Sequence, residues 1–202
     1  MKHLFKEGTN PSKPTLLLLH GTGGNEQDLL PLAEMIDAEA SVLSVRGNIV
    51  ENGMPRFFKR LAEGVFDVEN LKEETKNLAD FIDEAAKKYG FNRENVVAIG
   101  YSNGANIAGS LLFHYQDVLK GAILHHPMVP LRGLDLPDLN NVPVFIGAGE
   151  NDPICAPEES KELKQLLEGA GSTVDIDWGQ HGHSLTQKEV LAAAKWYAKN
   201  FS

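Results

Sequence analysis

Short apolar runs of strand length alternate with amphipathic helical patterns, and this alternation constrains the fold more than any other feature of the sequence. The runs are TLLLLH (15–20), SVLSV (41–45), NVVAIGY (95–101), GAILH (121–125), VPVFIGAG (142–149) and TVDIDW (173–178). All but the last are mostly apolar, as parallel strands buried on both faces are. The pattern predicts an α/β fold with a mostly parallel open sheet and helices on both of its faces.

Two of the intervening segments have the signals of helices with defined ends. In NLKEETKNLADFIDEAAKKYG the apolar residues recur at helical spacing, with Asn70 and Glu73 placed to cap the start and Gly90 placed to end the helix. The segment APEESKELKQLLEGAG has two glutamates in its first turn and a glycine at its end. Since strands, helices and connections account for nearly the whole chain, we expect one domain over residues 1–202 and no large cap domain.

The charge balance and the single cysteine narrow the class of protein. The formal net charge of −9 argues against nucleic acid or an anionic membrane surface as a partner. Cys155 is the only cysteine, so no internal disulfide is expected. No apolar segment has the length of a signal-peptide core at the N-terminus or of a membrane span elsewhere. We therefore expect a cytoplasmic protein, and the sequence is compatible with a homodimer.

Polar and glycine-rich segments follow the strand-like runs, at the place where an open α/β sheet binds its ligands. In chain order they are HGTGGN, YSNGAN, HHPM, ENDP and GQHGHS. The carboxyl ends of parallel strands meet at one edge of the sheet. We therefore expect the serine, aspartate and histidine side chains of these segments to lie close together.

The segment VVAIGYSNGANIAGSLL has the pattern of a strand, a sharp turn and a helix, with Ser102 in the turn. Its centre, from Gly100 to Gly104, fits the G-x-S-x-G pattern of a nucleophile elbow. In such an elbow the serine has a strained backbone and its hydroxyl projects from the turn. The strand and the helix pass so closely that a Cβ at either flanking glycine would clash. The alternative is a serine in an ordinary turn between a strand and a helix.

Four segments in order, LLLLHGTGG, GYSNGA, GENDP and GHSL, resemble the α/β-hydrolase fold and, more narrowly, the small phospholipase/carboxylesterase family that includes acyl-protein thioesterases. The resemblance extends over nearly the whole chain. It implies a serine hydrolase that cleaves carboxylic esters or thioesters without a metal or a cofactor. Acyl-protein thioesterases typically have glutamine where this chain has Asn103 and leucine where it has Thr22. The chain is therefore more similar to a bacterial carboxylesterase branch.

The resemblance also implies three catalytic residues, in the chain order of α/β-hydrolases. Ser102 is the expected nucleophile, Asp152 the acid that orients the base, and His183 the general base. Asp152 comes just after the apolar run that ends at Gly149, in a loop at the expected ligand edge. Other acidic residues near the last two strands remain alternatives for the acid: Glu150, Asp175 and Asp177.

Attack on an ester produces an oxyanion, which two backbone N–H groups are expected to hold. Asn103, directly after the nucleophile, is one expected donor. The resemblance implies Thr22, in the HGTGG loop, as the other. The glycine-rich loop lacks the lysine and hydroxyl residue of a phosphate-binding P-loop, so that interpretation is disfavoured.

Two histidines two places apart, His181 and His183, compete for the role of base. The segment after His183 is predicted to start a helix with a capping box formed by Thr186 and Glu189. A base close to such an anchor has a well-defined position, and Gly182 leaves room for it to approach the serine. We therefore favour His183 and interpret His181 as a loop histidine.

The segment 47–70 is the least regular part of the chain, and it follows the second strand at the ligand edge. We interpret it as a partial lid over the site, with a surface loop anchored by aromatic residues as the alternative. The candidate substrate-binding residues come from this segment and from HHPM: Met54, Phe57, Phe58, His126 and Met128.

The preferred function is a serine carboxylesterase that hydrolyses small carboxylic esters through an acyl-serine intermediate. A short lid offers little apolar surface for a long acyl chain, which favours small substrates. The alternatives are an acyl-protein thioesterase or lysophospholipase-type hydrolase, a hydrolase-fold binding protein with little turnover, and a metal-dependent hydrolase. The residues available to a metal are His125, His126, Asp152, His181 and His183.

Overall fold

A seven-stranded sheet forms the centre of the fold in the computed structural model, which describes residues 1–201. Its strands are β1 (His3–Lys6), β2 (Thr15–Leu19), β3 (Val42–Val45), β8 (Val96–Tyr101), β9 (Gly121–His125), β10 (Val144–Gly149) and β11 (Val174–Gly179). They lie in the order β1-β3-β2-β8-β9-β10-β11. Every neighbouring pair is parallel except β1 and β3. The mostly parallel sheet expected from the sequence is confirmed.

Helices cover both faces of the sheet, as predicted. They are α1 (Leu30–Ile36), α2 (Val68–Tyr89), α3 (Asn103–His114), α4 (Pro157–Gly169) and α5 (Gln187–Phe201). Helices α1 and α5 contribute Leu32 and Tyr197 to the core on one face. Helices α2 and α4 contribute Leu78 and Leu163 to the core on the other face, which α3 also covers. Among residues 1–201, none of the helices combines the length and the apolar character that crossing a membrane requires.

The burial of each strand follows from its sequence. Every residue of β2, β3, β9 and β10 is buried, as is every residue of β8 except Tyr101. In strand β11, aspartates alternate with apolar residues, and most of its residues are half-buried. Strand β1 was not among the predicted strands, because its four residues, HLFK, alternate between half-buried and exposed at the edge of the sheet.

Helix α2 begins earlier than the sequence predicts. Its N-cap is Asp67, whose carboxylate accepts the N–H of Asn70 at 3.1 Å. The prediction that Asn70 caps this helix is wrong, because the Asn70 side chain accepts the N–H of Lys59 at 2.8 Å instead. Gly90 ends the helix with a left-handed φ of +75°, as predicted.

The segment 47–70 forms two small antiparallel hairpins and then enters α2. The first joins β4 (Ile49–Glu51) to β5 (Met54–Arg56), and the second joins β6 (Arg60–Ala62) to β7 (Val65–Phe66). Between them Phe57 and Phe58 enter the core, and each is 0 % exposed. Burying a side chain of this kind stabilises a fold by roughly 1.5–3 kcal/mol. The two phenylalanines therefore anchor the hairpins to the sheet.

Candidate active site

Ser102 lies in the sharp turn between β8 and α3, and its backbone is strained. Its φ is +51° and its ψ is −113°, a region that residues with a side chain rarely occupy. A Cβ at Gly100 would lie 2.5 Å from the carbonyl oxygen of Gly104, and a Cβ at Gly104 would lie 1.9 Å from that of Leu19. Both glycines are therefore required by the close approach of strand and helix, as the elbow pattern predicts.

The structure brings Ser102, His183 and Asp152 into one chain of hydrogen bonds. The Ser102 hydroxyl oxygen lies 2.8 Å from His183 Nε2. On the other side of the ring, His183 Nδ1 lies 2.7 Å from Asp152 Oδ2. The tautomer with its proton on Nδ1 satisfies both contacts, because Nδ1–H donates to the carboxylate and Nε2 accepts from the hydroxyl. This tautomer leaves Nε2 able to take a proton from Ser102.

The Asp152 side chain is 0 % exposed, yet both of its oxygens have hydrogen-bond donors. Oδ1 accepts the N–H groups of Ile154 at 2.8 Å and Cys155 at 2.9 Å. Oδ2 accepts from His183 and, at 2.9 Å, from His126 Nδ1. Burial acts to raise the pKa of Asp152, but these hydrogen bonds outweigh burial and hold the pKa below its ordinary value. Asp152 is thus a carboxylate, as an orienting acid must be.

The other acids that the sequence left open do not reach His183. Glu150 is exposed and accepts a hydrogen bond from Gln180 Nε2 at 2.8 Å. Asp175 and Asp177 lie within β11, where the first is exposed and the second is half-buried. In the part of the chain that the structure describes, Asp152 is the carboxylate bonded to His183.

Two contacts fix the loop that carries His183. The Tyr101 hydroxyl donates to the carbonyl oxygen of His183 at 2.7 Å. The N–H of Gly182 donates to Asn151 Oδ1 at 3.0 Å, and Gly182 has a left-handed φ of +61° that glycine adopts without strain. His181 is exposed to solvent. The loop therefore directs His183, rather than His181, at the serine.

The capping box predicted at the start of α5 forms only in part. Thr186 Oγ1 accepts the N–H of Glu189 at 3.3 Å, as predicted. The Glu189 carboxylate, however, does not return to the backbone of Thr186. Its Oε1 contacts His125 Nδ1, and its Oε2 lies 3.1 Å from His126 Nε2. A tertiary contact has replaced the local one.

Thr22 and Asn103 lie beside Ser102 on the wall of one cavity. Asn103 is the first residue of α3, so its N–H has no acceptor within the helix. Its Oδ1 accepts the N–H of Phe57 at 2.7 Å, and Thr22 Oγ1 accepts from Arg56 Nη1 at 2.6 Å. Two consecutive residues of the 47–70 segment therefore hold both of the residues expected to bind an oxyanion.

The cavity at Ser102 has a volume of about 210 Å³ and a lining of two chemical kinds. The apolar part of the lining includes Phe66, Met128 and Ile154. The charged part includes Arg56, Arg60 and Glu63. Glu51 lies 2.8 Å from the Arg60 guanidinium and 3.6 Å from that of Arg56, so the positive charge near the cavity is partly balanced.

The structure corrects most of the predicted substrate-binding residues. Met128 lines the cavity. Phe57 and Phe58 do not, because both are enclosed in the core. His126 is also buried and is bonded to Asp152. Met54 is 37 % exposed and lies beside Gly23, outside the lining. The residues of the 47–70 segment that do border the cavity are Arg56, Arg60, Glu63, Gly64 and Phe66.

Comparison with known proteins places the chain in a family. A sequence profile of the dienelactone hydrolase family matches residues 55–200. The chain belongs to this family. It is also 60 % identical to MhqD of Bacillus subtilis (strain 168) over 197 residues, which make up 98 % of each chain. The predicted resemblance to a hydrolase is thus confirmed.

Two further relatives of this dienelactone hydrolase family member are an esterase and a thioesterase. The crystal structure of the Bacillus cereus carboxylesterase matches it with a TM-score of 0.99 and 66 % identity, over 100 % of this chain and 95 % of that one. Acyl-protein thioesterase 1 of Kluyveromyces lactis is 25 % identical over 214 residues, covering 94 % of this chain and 92 % of the thioesterase. The α/β-hydrolase fold and the resemblance to carboxylesterases and acyl-protein thioesterases are confirmed.

Three of the five residues suggested as metal ligands lie close together in this dienelactone hydrolase family member. His126, Asp152 and His183 each place a ligand atom within 4.8 Å of the others, whereas His181 is exposed. Ligands about 2 Å from a tetrahedral zinc lie roughly 3.3 Å apart. The Nδ1 atoms of His183 and His126 lie only 2.7 and 2.9 Å from Asp152 Oδ2. The arrangement therefore fits hydrogen bonds to one carboxylate better than ligation of zinc.

Cys155 lines the cavity, but its thiol is unsuited to be the nucleophile. Burial, followed by the charges of Asp152 and Glu159, raises the pKa of Cys155 to about 12. Its Sγ donates to the carbonyl oxygen of His126 at 3.4 Å. A protonated thiol is a weak nucleophile, so Cys155 does not compete with Ser102 at neutral pH.

Sequence reasoning missed three residues that shape the site: Tyr101, Arg56 and Glu189. The position of Tyr101 directly before the nucleophile was a signal that its side chain lies near the catalytic loop. Arg56 gave no such signal, because its orientation depends on a hairpin that the sequence did not indicate. Glu189 matched a local capping pattern, which hid its contact with residues more than 60 positions away.

Proposed function

We propose that the protein is a serine carboxylesterase that hydrolyses small carboxylic esters through an acyl-Ser102 intermediate. The observation that carries the proposal is the unbroken chain of hydrogen bonds from Ser102 through His183 to Asp152, with lengths of 2.8 and 2.7 Å. A serine hydroxyl is a weak nucleophile until a positioned base takes its proton. Here His183 is the base, and Asp152 orients it and stabilises the imidazolium that forms.

Acylation begins when Ser102 Oγ attacks the carbonyl carbon of the ester and His183 Nε2 takes the hydroxyl proton. The carbonyl electron pair moves to oxygen, and the oxyanion accepts the N–H groups of Thr22 and Asn103. When the bond to the leaving alcohol breaks, His183 gives its proton to the alcohol oxygen and the acyl group stays on Ser102. Water then repeats the sequence, and the acid is released.

The cavity supports a small substrate. Its volume of about 210 Å³ lies below the ~300–1,000 Å³ of typical ligand pockets. Phe66, Met128 and Ile154 provide apolar surface for a short acyl or aryl group. The Bacillus cereus carboxylesterase, at 66 % identity, supports an ester as the bond that is cleaved.

Substitution of Ser102 by alanine tests the mechanism. With p-nitrophenyl butyrate as substrate, Ser102→Ala is expected to lower kcat at least ~10³-fold, since members of a triad act as a unit. Ser184→Ala, at an exposed serine next to His183, is the matched control and should retain wild-type activity. Mass spectrometry after fluorophosphonate treatment should find the label on Ser102. Near wild-type turnover by Ser102→Ala would refute the proposal, and labelling without turnover of any ester would indicate a binding protein.

An acyl-protein thioesterase or lysophospholipase-type activity is the second candidate, because the Kluyveromyces lactis thioesterase is a relative over most of the chain. A series of p-nitrophenyl esters, used below their micelle concentrations, separates the two. Each methylene that the protein encloses adds ~0.8 kcal/mol, or about fourfold in kcat/KM. We expect kcat/KM to level off or fall after short chains. A steady rise to palmitate would favour the second candidate.

A further inference from the structure

His126 joins Asp152 to a second buried carboxylate, that of Glu189. The Nδ1 atom of His126 lies 2.9 Å from Asp152 Oδ2, and its Nε2 lies 3.1 Å from Glu189 Oε2. His126 and Glu189 are both buried. The hydrogen-bond chain from Ser102 therefore does not stop at Asp152, and the mechanism above makes no use of its last two members.

The contacts of His126 define its protonation. An ionised carboxylate only accepts hydrogen bonds. Because both ring nitrogens of His126 face a carboxylate oxygen, both contacts are satisfied when each nitrogen carries a proton. Burial acts to lower the pKa of His126, but the hydrogen bonds and charges of Glu189 and Asp152 outweigh burial and raise it. His126 therefore fits this site as an imidazolium.

Four further titratable groups face His126. They are His125, His183, Tyr101 and Cys155. His125 bonds the other oxygen of Glu189, and the His183 ring centroid lies 5.2 Å from that of His126. Burial raises the pKa values of Tyr101 and Cys155, so both are neutral near pH 7.

Two features of the backbone accommodate the contact between Glu189 and His126. A Cβ at Gly147 would lie 1.9 Å from Glu189 Oε1, so only glycine fits at this point of β10. His126 has a left-handed φ of +54°, which is rare for a residue with a side chain. It directly follows His125, and both rings contact the same glutamate. Backbone strain of this kind persists only where the surroundings impose it.

We propose that His126 and Glu189 are positioning residues for Asp152 and His183. Glu189 holds His126 as an imidazolium, and His126 holds the Asp152 carboxylate in place and shares its negative charge. The proposal rests on the proposed function, because it concerns the same base. With a positive charge beside Asp152, His183 binds a proton less tightly and remains an active base to lower pH.

Removal of the His126 charge should therefore move the acid limb of the kcat/KM profile to higher pH. A unit charge about 5 Å away at an effective dielectric of ~20 shifts a pKa by about two units. The Glu189 carboxylate is retained in the variant and does not cancel this shift, but solvent reaches the partly exposed His183 side chain and weakens the interaction. We expect a net shift of about one pH unit.

Two substitutions separate the hydrogen bond from the charge. His126→Asn keeps a neutral N–H donor near Asp152, and we expect it to shift the acid limb by about one unit with less than ~10-fold loss of kcat. His126→Ala removes donor and charge, and we expect a loss of ~10–100-fold in kcat with little change in KM, because His126 does not line the cavity. The control is His114→Asn in α3, where Nδ1 lies 2.8 Å from the carbonyl oxygen of Ser110. It should leave the acid limb unchanged.

Nitrogen-15 spectra of the imidazole groups test the wild-type protein directly. We expect both ring nitrogens of His126 to remain protonated at pH 8. The signal of His126 is identified by its absence from the spectrum of His126→Asn. If that variant does not fold, through-space contacts to Cys155 identify the signal instead. A neutral His126 at pH 8 would overturn the proposal, and so would a normal acid limb in a folded His126→Asn. Full activity in Ser102→Ala would instead refute the proposed function, while the spectra would still report the charge of His126.

Discussion

Replacement of Glu189 by glutamine measures how strongly the buried charge pair stabilises the fold. Burial acts to raise the pKa of Glu189, but the hydrogen bonds from His125 and His126 outweigh burial and lower it from 4.5 to about 2. One pKa unit corresponds to about 1.4 kcal/mol. The ionised carboxylate therefore contributes about 3 kcal/mol to the free energy of unfolding, and Glu189→Gln should lose most of it.

The dependence of this loss on pH follows from the direction of each shift. The pKa of Glu189 is depressed in the folded protein, so its contribution is fully present above about pH 4.5 and is lost as the pH falls toward 2. The pKa of His126 is raised, so its contribution is fully present below about pH 6.5 and is lost as the pH rises through the folded value. The difference between wild type and variant should therefore be largest near pH 5–6.5 and should shrink at lower pH.

Urea unfolding at pH 6 and pH 4, followed by tryptophan fluorescence, gives the free energies. The matched control is Glu158→Gln, which changes the same charge in the first turn of another helix, where the side chain is 77 % exposed. We expect the control to lose less than ~0.5 kcal/mol, since only an exposed helix-dipole contact and an exposed ion pair with Lys161 are removed. The reasoning is refuted if Glu189→Gln loses no more than the control at pH 6, or if its deficit grows as the pH falls.

Three further predictions concern the site. His183→Ala should lower kcat for p-nitrophenyl butyrate at least ~10³-fold and His181→Ala less than ~10-fold, and the reverse ranking would assign the base to His181. Iodoacetamide should alkylate Cys155 far more slowly at pH 8 than it alkylates glutathione, because burial raises the pKa of this thiol to about 12; comparable rates by mass spectrometry would contradict this. Phe57→Ala should lower the free energy of unfolding by ~3–5 kcal/mol, because Phe57 is buried in the core, whereas Phe66→Ala should mainly raise KM, because Phe66 lines the cavity. Equal losses of stability in urea would contradict these two assignments.

Features with a local physical cause could be predicted from the sequence. Five of the six predicted strands come from apolar runs, because a strand buried on both faces needs apolar residues throughout, and β11 comes from a run in which charged residues alternate with others. The glycines on either side of Ser102 predicted the elbow, since a Cβ at either position meets backbone atoms. The order of strand ends then predicted that Ser102, Asp152 and His183 would meet, because the carboxyl ends of parallel strands share one edge.

Features that depend on distant partners could not be predicted in this way. Phe57, Phe58 and Phe66 have the same chemistry in the sequence, and only the positions of the two hairpins decide that the first two enter the core while the third faces the cavity. The position of Glu189 also fits a capping box. Contacts with His125 and His126 outweigh that local role, because the lowered pKa of Glu189 corresponds to about 3 kcal/mol, which exceeds the ~1 kcal/mol of a helix cap.

The burial of Asp152 accounts for three features: the left-handed backbone of His126, the glycine at residue 147 and the tertiary contacts of Glu189. Each buried polar group requires a partner, and these residues provide the partners or the space for them. Oδ1 is satisfied within its own turn, but Oδ2 has room for a donor besides His183, and His126 supplies it. The far nitrogen of His126 then requires an acceptor, which Glu189 provides, and the second oxygen of Glu189 is bonded by His125.

The chain of partners ends at His125 Nε2, which has no hydrogen-bond partner among residues 1–201. With the proton of His125 on Nδ1, this atom is an unprotonated acceptor, and buried acceptors tolerate a missing partner better than buried donors do. The left-handed backbone at His126 and the glycine at residue 147 are then the steric conditions for fitting Glu189 against both rings. A carboxylate placed to orient His183 thus constrains residues of β10 and α5 that never touch the cavity.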